Sequence, residues 1–240
     1  MFQVTLHQPT KGYRYNIDSL LLSKFAKFKK NERVCDLGCG VGILGILALI
    51  WGKASEVVGV EVQEELARFA QQNIEELQLQ NSFRLICDNW KRVAKQLKSE
   101  RFDLILSNPP YRKSGSGRLS SHTQKIIAKH EVKGSLKDLL ITGKQLMARK
   151  GRFCLIYPTL RLEEFIQETG KQGLKISRLQ MVHPFVHQKA NHFMVELKLS
   201  VQGEIEIQPA LVVYKEAGVY TEEVEGWVGK QFDPSELDRE

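Results

Sequence analysis

The sequence has no apolar run long enough to cross a membrane. Its longest, Ile43 to Trp51, is interrupted by Gly45 and falls well short of the roughly 20 residues a spanning helix needs. The first residues show no basic-then-apolar stretch with a small-residue cleavage site, so no secretory signal is read there and the expected location is the cytoplasm. Cysteine is scarce. Cys35, Cys39, Cys87 and Cys154 lie in or beside apolar segments and form no C-x2-C pair, which argues against a disulfide framework or a zinc array and predicts buried reduced thiols with no metal. Internal repeats and low-complexity linkers are also missing, apart from the short Ser/Gly run Ser114 to Gly117. What is there is ordinary for a globular chain: 240 residues, 42% hydrophobic and 26% charged, enough for one large domain or a domain with an appendage.

Charge is unevenly spread. The formal net charge is +7, yet residues 112–150 alone carry ten basic against two acidic residues. Residues 1–30 add six basic against one acidic, whereas 201–240 hold three basic against ten acidic and end as a negative tail. A basic face concentrates polyanions and speeds their encounter, which makes nucleic acid the partner to consider. Solvated lysine-rich helices produce the same composition, so charge leaves both readings open.

After an amphipathic stretch, Ile17 to Phe28, short β-rich runs alternate with helical patterns. The expected strands are Arg33 to Leu37, Glu56 to Val60, Phe83 to Cys87, Phe102 to Leu106 and Arg152 to Tyr157. Between them, Glu64 to Leu77 puts Leu66, Phe69, Ala70, Ile74 and Leu77 on one helical stripe. Strand, helix, strand repeated in this way predicts crossover units and a parallel sheet covered on both faces. Two later runs, Ile176 to Val182 and His192 to Leu199, are separated by a loop too short for a crossover and should pair antiparallel. In the last, Phe193, Val195, Leu197 and Leu199 alternate with Met194, Glu196 and Lys198, as in a strand with one buried face.

Two motifs carry chemistry. Val34-Cys35-Asp36-Leu37-Gly38-Cys39-Gly40-Val41-Gly42 is a strand entering a glycine-rich turn before the apolar helix Ile43 to Ile50. Glycines there let backbone approach a ligand at the carboxyl edge of the first strand, where open α/β sheets bind nucleotides. Glu61, nineteen residues past Gly42 at the end of the second strand, can accept from both hydroxyls of a ribose. Asp88, with Asn89 beside it just past the third strand, is placed to accept from an adenine amino group, and Trp90 or a nearby apolar side chain would lie against the ring. The overlapping register Gly40-x-Gly42-x-x-Gly45 also satisfies a dinucleotide fingerprint. Asp36 inside the turn would repel a pyrophosphate but suits a ligand bearing an ammonium and a sulfonium, and the D-x-G-x-G-x-G string is similar to the S-adenosylmethionine loop of methyltransferases.

The second motif, Asn108-Pro109-Pro110-Tyr111, follows the fourth strand. Consecutive prolines fix the backbone and remove two amide donors, so the Asn108 side chain and the Pro109 carbonyl are presented as rigid acceptors, with Tyr111 at hand to stack. A planar substrate with an exocyclic amino group fits them. Two acceptors favour a pyramidal nitrogen whose lone pair faces the methyl group, and they stabilise the charge that nitrogen gains in an in-line displacement.

These residues resemble the class I methyltransferases that modify amino groups, and more narrowly the bacterial valine-tRNA adenine-37 N6-methyltransferases. The narrower likeness spans nearly the whole chain through Gln8-Pro9, Gly12 to Leu22, Ile127 to Glu131, Pro209 to Tyr214 and Gly218 to Thr221. It implies a Rossmann-like seven-stranded sheet, mostly parallel with the last strand antiparallel and helices on both faces. Residues 1–30 would cover the cofactor site, 31–200 form the core and 201–240 an extension with the acidic tail. The resemblance implies S-adenosylmethionine as cofactor, held by Asp36, Gly38, Gly40, Gly42, Glu61, Asp88, Asn89 and Asn108, with Asp18 nearby; from the residues alone Asp18 is equally a helix cap. Asn108, Pro109, Pro110 and Tyr111 would form the catalytic loop. It further implies a tRNA anticodon loop as partner. Arg112, Lys113, Arg118, Lys125 and Lys129, the basic residues that follow the catalytic loop, are expected to grip the backbone around the flipped base, and the chain is expected to be a monomer or weak dimer. Lys129-His130-Glu131 replaces an expected Arg-His-Glu; lysine keeps the charge and loses the bidentate fork.

Four rivals remain at this point. Release-factor glutamine methyltransferases share the Asn-Pro-Pro-Tyr loop but usually carry a helical domain before the glycine turn, and only about 35 residues precede Asp36 here. Ribosomal RNA or DNA adenine methylation uses the same chemistry. A nicotinamide oxidoreductase or a non-catalytic RNA-binding module would explain only part of the residues.

Overall fold

The computed structural model describes residues 6–9, 17–109, 135–201 and 204–228. The chain runs α1 (Ile17–Ala26), β1 (Arg33–Leu37), α2 (Ile43–Ile50), β2 (Glu56–Glu61), α3 (Glu64–Glu76), β3 (Phe83–Cys87), α4 (Trp90–Gln96) and β4 (Phe102–Ser107). It continues with α5 (Leu136–Leu146), β5 (Met147–Pro158), a single 3-10 turn (Thr159–Arg161), α6 (Leu162–Lys171), β6 (Lys175–His183) and β7 (His192–Lys198). Four short strands follow, β8 (Glu206–Ile207), β9 (Leu211–Val212), β10 (Tyr214–Glu216) and β11 (Val219–Tyr220), and then α7 (Glu222–Val228).

The main sheet has the order β3-β2-β1-β4-β5-β7-β6, and β6 also carries β8 and β9, making nine strands. β1 to β5 pair in parallel, and β7 runs antiparallel to both β5 and β6. This is the expected α/β sheet with its antiparallel member, widened by two strands of two residues each that were too short to show a period. Cys35, Val58, Ile105 and Phe153 face one core beneath α4, α5 and α6, while Val34, Val57, Leu104 and Met194 face the other beneath α1, α2, α3 and α7. Gly45 permits the close approach of α2: a Cβ there would come within 2.5 Å of the Phe83 ring.

Three sequence expectations need correction. The stretch expected to be amphipathic becomes α1, with eight of its ten residues buried, because it lies on β5 and β7 with α2 and α7 beside it. For the same reason β7 is buried on both faces. Glu196, expected to face water, lies under α1 and pairs with the buried Arg178, whose Nη2 donates to the Glu196 carboxylate at 3.0 Å and to Phe25 O at 2.7 Å. Cys35, Cys39 and Cys154 are buried as expected, but Cys87 is exposed at the end of the outermost strand β3.

The 204–228 stretch contributes Leu211, Val213, Tyr220 and Val224 to the core that holds α1. Among the described residues no helix is long and apolar enough to span a membrane.

Candidate active site

The site grows from the carboxyl ends of β1, β2 and β4. After Leu37 the chain turns sharply, with Gly38, Gly40 and Gly42 at φ +81°, +57° and +91°, a region that L side chains avoid. Gly38 N and Cys39 N donate to Val60 O at 2.8 and 3.0 Å, folding the turn back over the end of β2. Glu61, 5% exposed, braces it. One carboxylate oxygen accepts from Gly40 N at 3.0 Å and the other from Val62 N and Gln63 N at 2.9 and 2.8 Å, at the start of α3, where the helix dipole favours negative charge.

Asp36 is fully buried, and neither carboxylate oxygen has a hydrogen-bond partner. Burial pushes its carboxyl up to about 7; the Gly45 amide pulls the other way without completing a hydrogen bond, and the Glu61 charge pushes it up further. A carboxylate held like this is a costly arrangement that a bound cation would relieve.

β4 lies beside β1, with Leu106 in register with Asp36, and Ser107 Oγ donates to Leu37 O at 2.6 Å. Asn108 and Pro109 are therefore buried next to the glycine turn. Asn108 Nδ2 donates to Ser19 Oγ of α1 at 3.1 Å, a contact across 89 positions that no sequence pattern marked. Asp18 precedes Ser19, buried in the first turn of α1.

On the other side, Trp90 packs against the turn, its Cζ2 3.8 Å from where a Cβ on Gly38 would sit. This brings the start of α4 to the site. Asn89 is the N-cap of α4, its side-chain oxygen accepting from Arg92 N at 3.1 Å. Asp88 is half-buried; its Oδ1 accepts from Asn89 N at 2.7 Å and lies 3.7 Å from the Arg92 guanidinium.

A second residue missed by sequence reasoning is Asn73, buried on α3. Its Oδ1 accepts from His7 N at 2.6 Å, and its Nδ2 donates to His7 O and Val41 O, both at 3.0 Å. The side chain thus imitates a strand partner for His7 and ties residues 6–9 to the glycine turn. The adjoining Gln8 Oε1 is buried without a partner. Pro110, Tyr111, Arg112, Lys113, Arg118, Lys125, Lys129 and His130 lie outside the described residues. Among those described, no group of three or more His, Cys, Asp or Glu side chains could hold a metal ion.

A glycine turn after the first of seven core strands, an acid ending the second, an Asn-Pro pair after the fourth and an antiparallel seventh strand define a class I methyltransferase. The chain belongs to the methyltransferase small domain family, which matches residues 16–153. It is 26% identical over 86% of its length to an Aliivibrio salmonicida protein, 86% of which is covered, named tRNA1(Val) (adenine(37)-N6)-methyltransferase. A Dyadobacter fermentans protein of the same name is 23% identical, over 90% of this chain and 89% of its own. Among solved structures, a predicted O-methyltransferase of Agrobacterium tumefaciens superposes with a TM-score of 0.68 at 20% identity, over 88% of this chain and 94% of that one.

Proposed function

We propose that this methyltransferase moves a methyl group from S-adenosylmethionine to the exocyclic N6 amino group of an adenine in tRNA, most narrowly adenine 37 beside the anticodon of a valine tRNA. The observation that carries the reading is the juxtaposition of an unpartnered, buried Asp36 with Asn108, on adjacent strand ends. The tRNA part rests on the names of the curated relatives and on the basic stretch 112–150.

The residues present fit the donor. Two buried acceptors without partners, Asp36 and Gln8 Oε1, suit a ligand that brings positive charge and N–H groups, and the positive φ of Gly38, Gly40 and Gly42 shapes the turn that would receive it. Asp36, Glu61, Asp88 and Asn89 with the glycine turn would hold it, and Trp90 would line its ring. When bound, S-adenosylmethionine supplies an electrophilic methyl group on a sulfonium. Asn108 Oδ1 and the Pro109 carbonyl accept the N–H bonds of the target amine, orient its lone pair and stabilise the charge it acquires until a proton leaves. Pro110 stiffens that loop and Tyr111 stacks on the base. Ser19 acts on Asn108: by accepting from Nδ2 it keeps the oxygen, not the NH2 group, toward the amine.

Labelled-methyl transfer to unmodified total tRNA, with nucleoside mass spectrometry, tests the reading. N6-methyladenosine that disappears in Asn108→Ala is the expected product; transfer to a release factor and not to RNA would assign the loop to glutamine methylation. Replacing Arg112, Lys113 and Arg118 together by Ala should weaken RNA binding and lower the slope of log affinity against log salt, by up to nearly one for each phosphate that is no longer neutralised. An unchanged slope would remove them from the interface.

Asp36 predicts a pH dependence. Below about 7 its carboxyl holds a proton, which a cationic ligand must displace. Affinity for S-adenosylmethionine should therefore rise by up to about tenfold per pH unit as pH approaches 7 and level off above it. For the free protein the sign is opposite. The folded state keeps a proton that the unfolded chain loses near its ordinary pKa of 3.8, so this group's contribution to stability falls between those values. Calorimetric titration across pH checks this, and Asp36→Asn should flatten the profile.

A further inference from the structure

We infer that the loop joining β6 to β7 is a second RNA-contacting surface, on which an unpaired nucleotide neighbouring the target base stacks. The inference rests on the RNA reading above and adds to it a site separate from every residue assigned there.

The loop, Pro184 to Asn191, contains no carboxylate and carries His187 and Lys189, both exposed. It extends beyond the carboxyl ends of the strands: Pro158 of β5 pairs with His192, and Val182 of β6 with the same residue. That is the edge from which Asn108 emerges. β7 and β6 lie two and three strand spacings from β4, roughly 10–15 Å away, within reach of the same RNA loop.

Four rings from two distant stretches form a ladder there. Tyr220, 7% exposed, stacks on Tyr214 at 5.1 Å and 20°. Tyr214 meets Phe185 at 5.7 Å and 36°, and Phe185 stacks with His187 at 5.9 Å and 21°. The ladder runs from the core to an exposed imidazole, with Val186, 81% exposed, beside it.

Backbone contacts hold the loop in shape. Gln188 N donates to Phe185 O, Tyr214 N to Pro184 O and Thr159 N to Asn191 O, at 2.8 to 3.0 Å. Thr159 Oγ1 donates to Ala190 O at 2.7 Å, and His183 Nδ1 lies 2.8 Å from Gln188 O. A pre-shaped stack loses little entropy when another ring is added. Every nucleobase has a π-face to continue it, and the neighbouring lysine with no acid in the loop suits the attached phosphate. The exposed lysine and imidazole and the absence of acid in the loop favour RNA over a protein partner or a second copy.

The experiment measures binding of an anticodon stem-loop RNA carrying 2-aminopurine at single loop positions, together with its methylation. The full chain should quench the probe at one position near the target adenine. His187→Ala should abolish that quench and weaken binding about fivefold to tenfold, while the KM for S-adenosylmethionine is unchanged. Val186→Glu, an exposed change that leaves the ladder intact, should weaken binding at least as much by repelling phosphate. If both variants bind as wild type while the wild type methylates the RNA, the stacking surface is overturned and the methyltransferase reading stands. Were the wild type neither to bind nor to methylate RNA, both would fall together. Dissociation of an oligomer in Val186→Glu with RNA affinity retained would assign the face to a second copy and overturn the inference.

Discussion

Asn108→Ala is expected to lower the turnover of methyl transfer by about 100- to 1,000-fold, the effect of removing one preorganised polar group from a site of developing charge. Binding of S-adenosylmethionine should change far less, because Asp36 and Glu61 belong to other strands. The reason lies in the nucleophile. The lone pair of an adenine amino group is delocalised into the ring, and two fixed acceptors favour the geometry in which it is available.

Ser19→Ala should lower turnover by a smaller factor, about tenfold, since the Asn108 amide would then lose the acceptor that holds Nδ2. Because Ser19 acts through Asn108, both KM values should hold while kcat falls, and Ser19→Thr, which keeps the hydroxyl, should restore much of the rate. Single-turnover kinetics with melting curves for each variant separate this from general destabilisation. A tenfold rise in KM with kcat unchanged would remove Ser19 from its positioning role.

Arg152→Ala should cause the largest loss of stability. Arg152 and Glu32 have side chains only 6% and 10% exposed and are joined at 2.8 Å. The same guanidinium donates to Ala26 O and, at 3.1 Å, to Lys27 O, capping the C-terminus of α1. Removing one member of a buried pair leaves its partner charged and unsolvated, at a cost of about 3–5 kcal/mol. At about 2–4 °C per kcal/mol for a chain of this size, the Tm should drop on the order of 10 °C. Replacing Arg152 and Glu32 together with apolar residues of similar volume should recover a large part of that, since no orphan charge remains. Calorimetry of the two variants decides, and equal melting would show that the ion pair is not what anchors α1.

Much of the site was legible because its signals are local. The glycine turn needs positive φ at Gly38, Gly40 and Gly42, and the string around Asp36 declares it. The crossover units put Glu61, Asp88 and Asn108 at strand ends, because short strands alternating with helices have few ways to form a parallel sheet. The hairpin of β6 and β7 followed from a loop too short for a helix.

Other features were hidden. α1 reads as amphipathic, yet it is enclosed, and three of its four polar residues are spent inside: Asp18 and Ser19 at the site end, Ser23 Oγ on Leu20 O at 2.7 Å. Glu196 alternates with apolar residues as a solvent-facing strand residue would, but α1 covers it and Arg178 neutralises it. Asn73 looks like any polar residue on an amphipathic helix, although it joins His7 to Val41. β8 and β9, two residues each, are too short for any period.

The sequence by itself determined the class of sheet, the glycine turn after its first strand and the loop that presents Asn108, because backbone conformation and hydrophobic period are set within a few residues. Only the tertiary structure decided which way Asn108 is held, what satisfies the end of α1 and which rings stack beside the site. Those depend on partners 89, 126 and 29 positions away, and a buried polar group or a ring has no such partner until the chain has closed around it.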